Sequence, residues 1–204
     1  MIATLTGMGL SAAAGFNAYI PFLVVALVAR FTDLITLPAQ FAWIESPWAI
    51  GIGVVLLAAE VVLDKIPAVD TVNDTVQTFI RPSMGGLIFA ATSSAAELDS
   101  STWMTSHPWV GVVLGVVVSG LVHSGKMAAR PVINVGTAGF GAPVASTVED
   151  GASFGLSIVA IVAPVLALVA LVVIFGLLAY IFVRYFRWRR ERRERLSATG
   201  TDLA

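Results

Sequence analysis

Cysteine is missing altogether, and charge is scarce: Asp, Glu, Lys and Arg make up 12% of the 204 residues. The first absence excludes disulfides, thiolate metal centres and cysteine nucleophiles. Two histidines, neither in a His-Glu-x-x-His pattern, are too few ligands for a zinc site of the usual kind. Glycine-rich phosphate loops are absent as well. The expectation is therefore a protein that is not an enzyme and needs neither metal nor cofactor. The scarcity of charge goes with 57% hydrophobic residues and a mean hydropathy of +0.89, values outside the range of soluble domains. No Lys or Arg precedes the first apolar run, MIATLTGMGLSAAAGFNAYIPF. It lacks the basic start of a cleaved signal peptide and reads as a first span.

What is present is a series of apolar stretches. A helix needs about 20 apolar residues to cross a hydrocarbon core. Six segments qualify: 5–29, 47–64, 82–96, 108–125, 132–148 and 153–183. The expected fold class is all-α, a polytopic transmembrane bundle of about six spans. Segments 82–96 and 132–148 are short or glycine-rich, which suits broken or re-entrant elements lining a site. Pro21 is expected to kink the first span.

Loop charges suggest an orientation. Seven of the twelve Lys and Arg residues fall between Arg184 and Arg195, and cations in short loops favour the cytoplasm. Walking back from that tail, VEDG (148–151) and AELDSSTWMTSH (96–107) carry only acids, whereas GKMAARP (125–131) and the stretch from Lys65 to Arg81 carry cations. The alternation predicts six crossings with both termini cytoplasmic. Residues 1–183 form the transmembrane domain and 184–204 a basic cytoplasmic tail that anchors to lipid. Nucleic acid is not an expected partner.

The stretch LDKIPAVDTVNDTVQTFIRP (63–82) concentrates the polar chemistry. Ile66, Val69, Val72, Val76, Phe79 and Ile80 recur at helical spacing opposite Asp70, Asn73, Asp74 and Gln77, which predicts an interfacial amphipathic helix over 66–81. Glu60 lies inside the second span with Asp64 at i+4 on the same face. A carboxylate in a span is costly unless paired or hydrated. The predicted topology offers Lys65, Arg81, Lys126 and Arg130 at the same inner face. One reading is a polar vestibule of Glu60, Asp64, Lys65, Asp70, Asp74 and Arg81, with Lys126 and Arg130 opposite. The other is a salt-bridge belt that fixes the amphipathic helix. Asn17 and Asn134 sit deepest in spans one and five, where an amide serves either a pathway or interhelical packing. His123, one turn before Lys126, reads as an interfacial hydrogen-bonder.

Two patterns bear on assembly. Shifting the sequence by 61 aligns Pro47-Trp48 with Pro108-Trp109, Lys65 with Lys126, Asn73 with Asn134 and Pro82 with Pro143. Three helical hairpins of related origin are inferred. Gly111, Gly115 and Ser119 form a small-residue ridge for close helix approach, within the chain or in a homo-oligomer.

The segments GLSAAAGFNAYIPFL, EVVLDKIPAVDTVNDTVQTFIRPSMGG and GKMAARPVINVGTAGFGAPVASTVEDG resemble a family of small bacterial integral membrane proteins, domain of unknown function 4126. The resemblance implies a multi-pass protein of the bacterial inner membrane and brings no assigned activity. The leading functional expectation is a small transporter or channel-like protein for a small solute, ion or lipid headgroup, with membrane lipids as partners. The mixed charge suits a zwitterionic or anionic solute better than a bare cation. A non-transporting scaffold or assembly factor is the alternative, and an intramembrane lipid-modifying enzyme ranks third.

Overall fold

The computed structural model describes residues 2–64, 67–93, 106–136 and 141–201. Among these residues there is no strand; the elements are seven α-helices and one 3-10 helix. We number them α1 (Ile2–Phe16), α2 (Tyr19–Phe31), the 3-10 helix (Ala39–Glu45), α3 (Pro47–Leu63), α4 (Pro67–Ser93), α5 (Pro108–Gly136), α6 (Gly141–Val162) and α7 (Pro164–Thr201). The chain divides into two units, Met1–Val169 and Ala170–Ala204. In the second, a single helical run, Arg184 donates to the Tyr180 hydroxyl one turn back at 2.9 Å.

Two helical stretches, Trp109–Arg130 in α5 and Pro143–Val162 in α6, are long and apolar enough to cross a membrane. The 3-10 helix and α3, bent by 55° where they meet, make a third if the pair is one span. The distribution of side chains is that of a membrane protein. Trp48, Ile52, Val55 and Val62 of α3 and Val113, Val117 and Leu121 of α5 are exposed, while Glu60, Asp64, Arg81 and Lys126 are buried. Water would penalise both halves of that arrangement, and lipid removes the penalty on the first.

Several helix boundaries depart from those the sequence suggests, each for a local reason. The first span is not a kinked rod: it breaks at Asn17, four residues before Pro21. Proline has no N–H to offer the Asn17 carbonyl, so it fits the first turn of a new helix, where that bond is not needed. Segments 66–81 and 82–96 are not a surface helix followed by a span; from Pro67 to Ser93 they form one helix with Pro82 inside it. Hydroxyls from neighbouring helices support the backbone around that proline, Ser119 bonding the Arg81 carbonyl at 2.8 Å and Ser11 the Gly85 carbonyl at 2.9 Å. The described residues of segment 132–148 do not make a helix of their own: 132–136 end α5 and 141–148 begin α6. Segment 153–183 is divided at Ala163, because a residue before proline disfavours the helical region and Pro164 suits the start of α7. Against the six crossings expected, two described stretches, or three with the bent pair, are long and apolar enough to cross a membrane, and Ile2–Phe16, Tyr19–Phe31 and Pro164–Leu177 are shorter apolar helices. Helix limits do not follow the 61-residue echo either: α4 begins at Pro67, whereas Ala128 lies in the interior of α5.

The helices α4 and α5 form the tightest pair, and α1 packs on both. Gly111 lies against Phe89 and Ser93, and Gly115 against the backbone of Gly85 and Gly86. The Gly111, Gly115 and Ser119 ridge is therefore buried within the chain on α4. A methyl group at Gly86 would stand 3.0 Å from the Val112 carbonyl oxygen, while one at Gly151 would meet nothing within 4 Å. Gly86→Ala should overpack this seam and destabilise the protein by about 1–3 kcal/mol. Gly151→Ala should be neutral or stabilising by up to ~1 kcal/mol. Thermal unfolding of the purified variants in lipid nanodiscs measures both; equal effects at the two sites would contradict the packing described.

Candidate functional site

The buried face of α3 is Gly53, Glu60 and then Asp64 at its C-terminal end. On α4 the buried positions Asp74, Gln77, Arg81 and Gly85 recur every three or four residues, while Val76 and Phe79 point outward. The polar side of this amphipathic helix thus faces the bundle, the inverse of a helix lying on a soluble core. On α5 the buried stripe begins with Gly111, Gly115 and Ser119 and continues as Val122, His123, Lys126 and Arg130. Small residues bring α4 and α5 together at one end of the seam, and charge fills it at the other.

Arg81 is fully buried (0% exposed). Its Nη2 donates to Glu60 Oε1 at 2.8 Å and lies 3.9 Å from Asp64 Oδ2. Its Nη1 lies 3.4 Å from the Gly15 carbonyl, one of the terminal acceptors of α1 that have no partner within the helix. The negative end of α1 thereby helps to balance the guanidinium. His123 closes the group: Nδ1 is 3.5 Å from Arg81 Nη1 and Nε2 is 3.1 Å from Thr78 Oγ1. The Thr78 hydroxyl is itself donated to the Asp74 carbonyl, which leaves it as acceptor from the imidazole.

A second group lies one turn further along α4 and α5. Lys126 Nζ is 2.8 Å from Glu149 Oε2 and 3.8 Å from Asp74 Oδ1. Arg130 Nη1 is 2.9 Å from Asp74 Oδ2, and its Nη2 lies 3.2 Å from Glu149 Oε2 and 3.8 Å from Asp64 Oδ2. Asp64 joins the two groups and also accepts from Asn73 at 2.6 Å and Ser146 at 3.4 Å. The result is one continuous network from four helices, α3 to α6.

Asn17 occupies the break between α1 and α2 and is buried. Its Oδ1 accepts from the backbone N–H groups of Tyr19 and Ile20, capping α2, while its Nδ2 donates to Asp150 Oδ1 at 2.9 Å. The acid therefore stands near the positive end of α2. Ser153 Oγ donates to the Ala13 carbonyl at 2.9 Å and lies 3.4 Å from the Asn17 carbonyl. Four backbone groups around the break thus have a side chain from α6 or from Asn17 itself, and the Gly15 carbonyl has Arg81.

A family model for a domain of unknown function, DUF4126, matches residues 4–184. The chain belongs to this family. No curated protein and no solved structure matches it. The DUF4126 region contains the whole network and excludes most of the basic tail. Among the described residues no group of three or more metal-ligating side chains is assembled.

Of the residues singled out from the sequence of this DUF4126 chain, the structure joins Glu60, Asp64, Asp74, Arg81, Lys126 and Arg130 in one network and places Asn17 beside it at the helix break. Lys65 lies outside the described residues, as do the side chains of Asp70 and Asn134. Glu149 is the participant that sequence reasoning missed. Loop alternation placed 148–151 on the face opposite Lys126 and Arg130, and the 2.8 and 3.2 Å contacts overturn that placement. The weak apolarity of 132–148 was the available signal, because without a fifth crossing Glu149 falls on the side of the cations. Arg30, outside the network, donates to the Glu45 carbonyl at 2.9 Å.

Removing one member of a buried ion pair leaves its partner uncompensated, at about 3–5 kcal/mol. Arg81→Met should therefore cause a large loss of thermal stability in nanodiscs. Arg30→Met, at an exposed carbonyl contact, should cost within about 0.5 kcal/mol. Similar melting temperatures for the two variants would show that the Arg81 network contributes little to the fold.

Proposed function

We propose that this is a small transporter or channel-like protein of the bacterial inner membrane, with the Glu60–Arg81–Lys126–Glu149 network as its polar site. The observation that carries the reading is the position of the charges. Lys126 and Arg130 lie within the Trp109–Arg130 stretch and Glu149 within Pro143–Val162, the two helical stretches apolar enough to cross a membrane. A structural belt at the surface has no need to bury charge inside spans, whereas a solute or ion pathway does. The helix break at Asn17 supports the same reading, since interrupted helices beside a polar site supply backbone dipoles to a bound solute. The alternation of carboxylates and cations suits a zwitterionic or anionic solute, or a headgroup of that chemistry. The basic run from Arg184 to Arg195 favours a cytoplasmic C-terminus.

A second reading, a scaffold or assembly factor, is favoured by one observation: the buried cations Arg81, Lys126 and Arg130 are paired with acids of the same chain. The paired variant Lys126→Met with Glu149→Gln separates the readings, because it removes one charge of each sign. Proteoliposomes holding the wild type are expected to take up a radiolabelled zwitterionic amino acid or inorganic phosphate above empty vesicles, and the paired variant to lose at least about 90% of that uptake while keeping its melting temperature. Absence of uptake by the wild type for both probes, together with a fall in the variant's melting temperature, would favour the scaffold.

A further inference from the structure

The described part of the buried network carries more acid than base. Among the described residues, Glu60, Asp64, Asp74 and Glu149 face Arg81, Lys126 and Arg130, four acids against three cations. A carboxylate buried among apolar helices carries a large desolvation cost unless a cation or a bound proton offsets it. The hydrogen bonds show which described carboxylate has an oxygen furthest from such an offset. Asp64 accepts from Asn73 and Ser146 and stands near two guanidinium groups. Asp74 receives Arg130 on Oδ2 and has Lys126 Nζ 3.8 Å from its Oδ1, which lacks a hydrogen bond, and Glu149 receives both Lys126 and Arg130. Glu60 has one donor, Arg81 on Oε1; its Oε2 is buried with no hydrogen-bond partner. A second orphan acceptor, Gln77 Oε1, is also buried, and the side chains of Glu60 and Gln77 both flank Tyr19. A proton on Glu60 Oε2 would supply a donor where these two acceptors have none.

We propose that Glu60 binds a proton in the resting protein, and that this proton is the ion to which solute movement through the site is coupled. The coupling half rests on the transport reading above. The step is a protonation: hydronium transfers a proton to Glu60 Oε2, an O–H bond forms, water is left, and the new donor serves an acceptor beside Tyr19. The Oε1 atom keeps its bond from Arg81. Among the described residues, the three remaining carboxylates then match the three cations. The charged and titratable groups facing Glu60 are Arg81 from α4, Lys126 from α5, Tyr19 from α2, and Asp64 on its own helix. Loss of the proton places an unmatched carboxylate beside Arg81, which draws the guanidinium away from Asp64 and the Gly15 carbonyl. Occupancy of Glu60 is in this way tied to the ends of α1 and α3.

Infrared spectroscopy of the full-length protein in nanodiscs reads the proton directly. The expected result at neutral pH is a protonated-carboxyl carbonyl band that moves on 13C-glutamate labelling of the wild type, stays in place on 13C-aspartate labelling, and is lost in Glu60→Gln. The glutamine variant should keep the wild-type melting temperature, since an amide supplies both the donor and the acceptor of a protonated carboxyl. A missing band, a band that follows aspartate labelling, a band that survives Glu60→Gln, or a variant that no longer folds would each overturn the assignment. So would disappearance of the band when sodium replaces choline at constant pH, which would give the site to a sodium ion. Proton entry into proteoliposomes under an imposed potential, followed with an internal pH dye, is the separate readout for coupling. A Glu60 band without proton entry in the wild type would overturn the coupling and leave the resident proton standing; no solute uptake in addition would count against the transport reading itself.

Discussion

Placing the guanidinium of Arg81 at full burial constrains nearly everything packed around it. A permanently charged group away from water needs donors matched to acceptors on all sides. Glu60 comes from the end of α3, Asp64 from its cap, and the Gly15 carbonyl from the end of α1. Each of these exists where it does because a helix stops there. The ends of α1 and α3 are therefore part of the electrostatic solution, and the sequence features that stop them are as important to the site as the charged residues. Pro21 displaces the start of α2 and so exposes the α1 terminus.

Close packing and charge work on the same seam. The glycine ridge of α5 brings its backbone against α4 at Gly85 and Gly86, and a charge-filled gap opens one or two turns away, at His123, Lys126 and Arg130. Long cationic side chains cannot fit where the backbones touch, and glycine could not fill the space where they part. The seam thus changes from small to large along its length, which turns a continuous helix pair into a clamp around a polar pocket of side chains. Hydroxyl groups of Ser11, Ser119 and Ser153 tie backbone carbonyls across helices. Such bonds average about 0.6 kcal/mol in membrane proteins, so they orient the helices more than they stabilise them.

Membrane residence, helical class and the gathering of charge near Glu60 and Arg81 are legible in the sequence, because they depend on composition and on local periodicity. Apolar runs fix the solvent, and acids spaced one turn apart share a face in any helix. A disturbance of the first span near Pro21 is legible too, although the break at Asn17 is not: a proline limits which helix turn can contain it but leaves the choice between kink and break to the neighbours. Those neighbours are Ser153 and Asp150, some 130 residues away in the chain.

What tertiary structure alone decided is which charges meet. Glu149 illustrates the physical reason. Its sign and its flanking residues permit either side of the membrane, and loop-charge counting assigns it correctly only when the number of crossings before it is right. That number turned on whether 132–148 forms its own helix, a question settled by continuation of α5 to Gly136 and the start of α6 at Gly141. Local sequence determines the cost of burying each charge. The partner that offsets the cost comes from a distant helix, and only packing brings that helix within 3 Å.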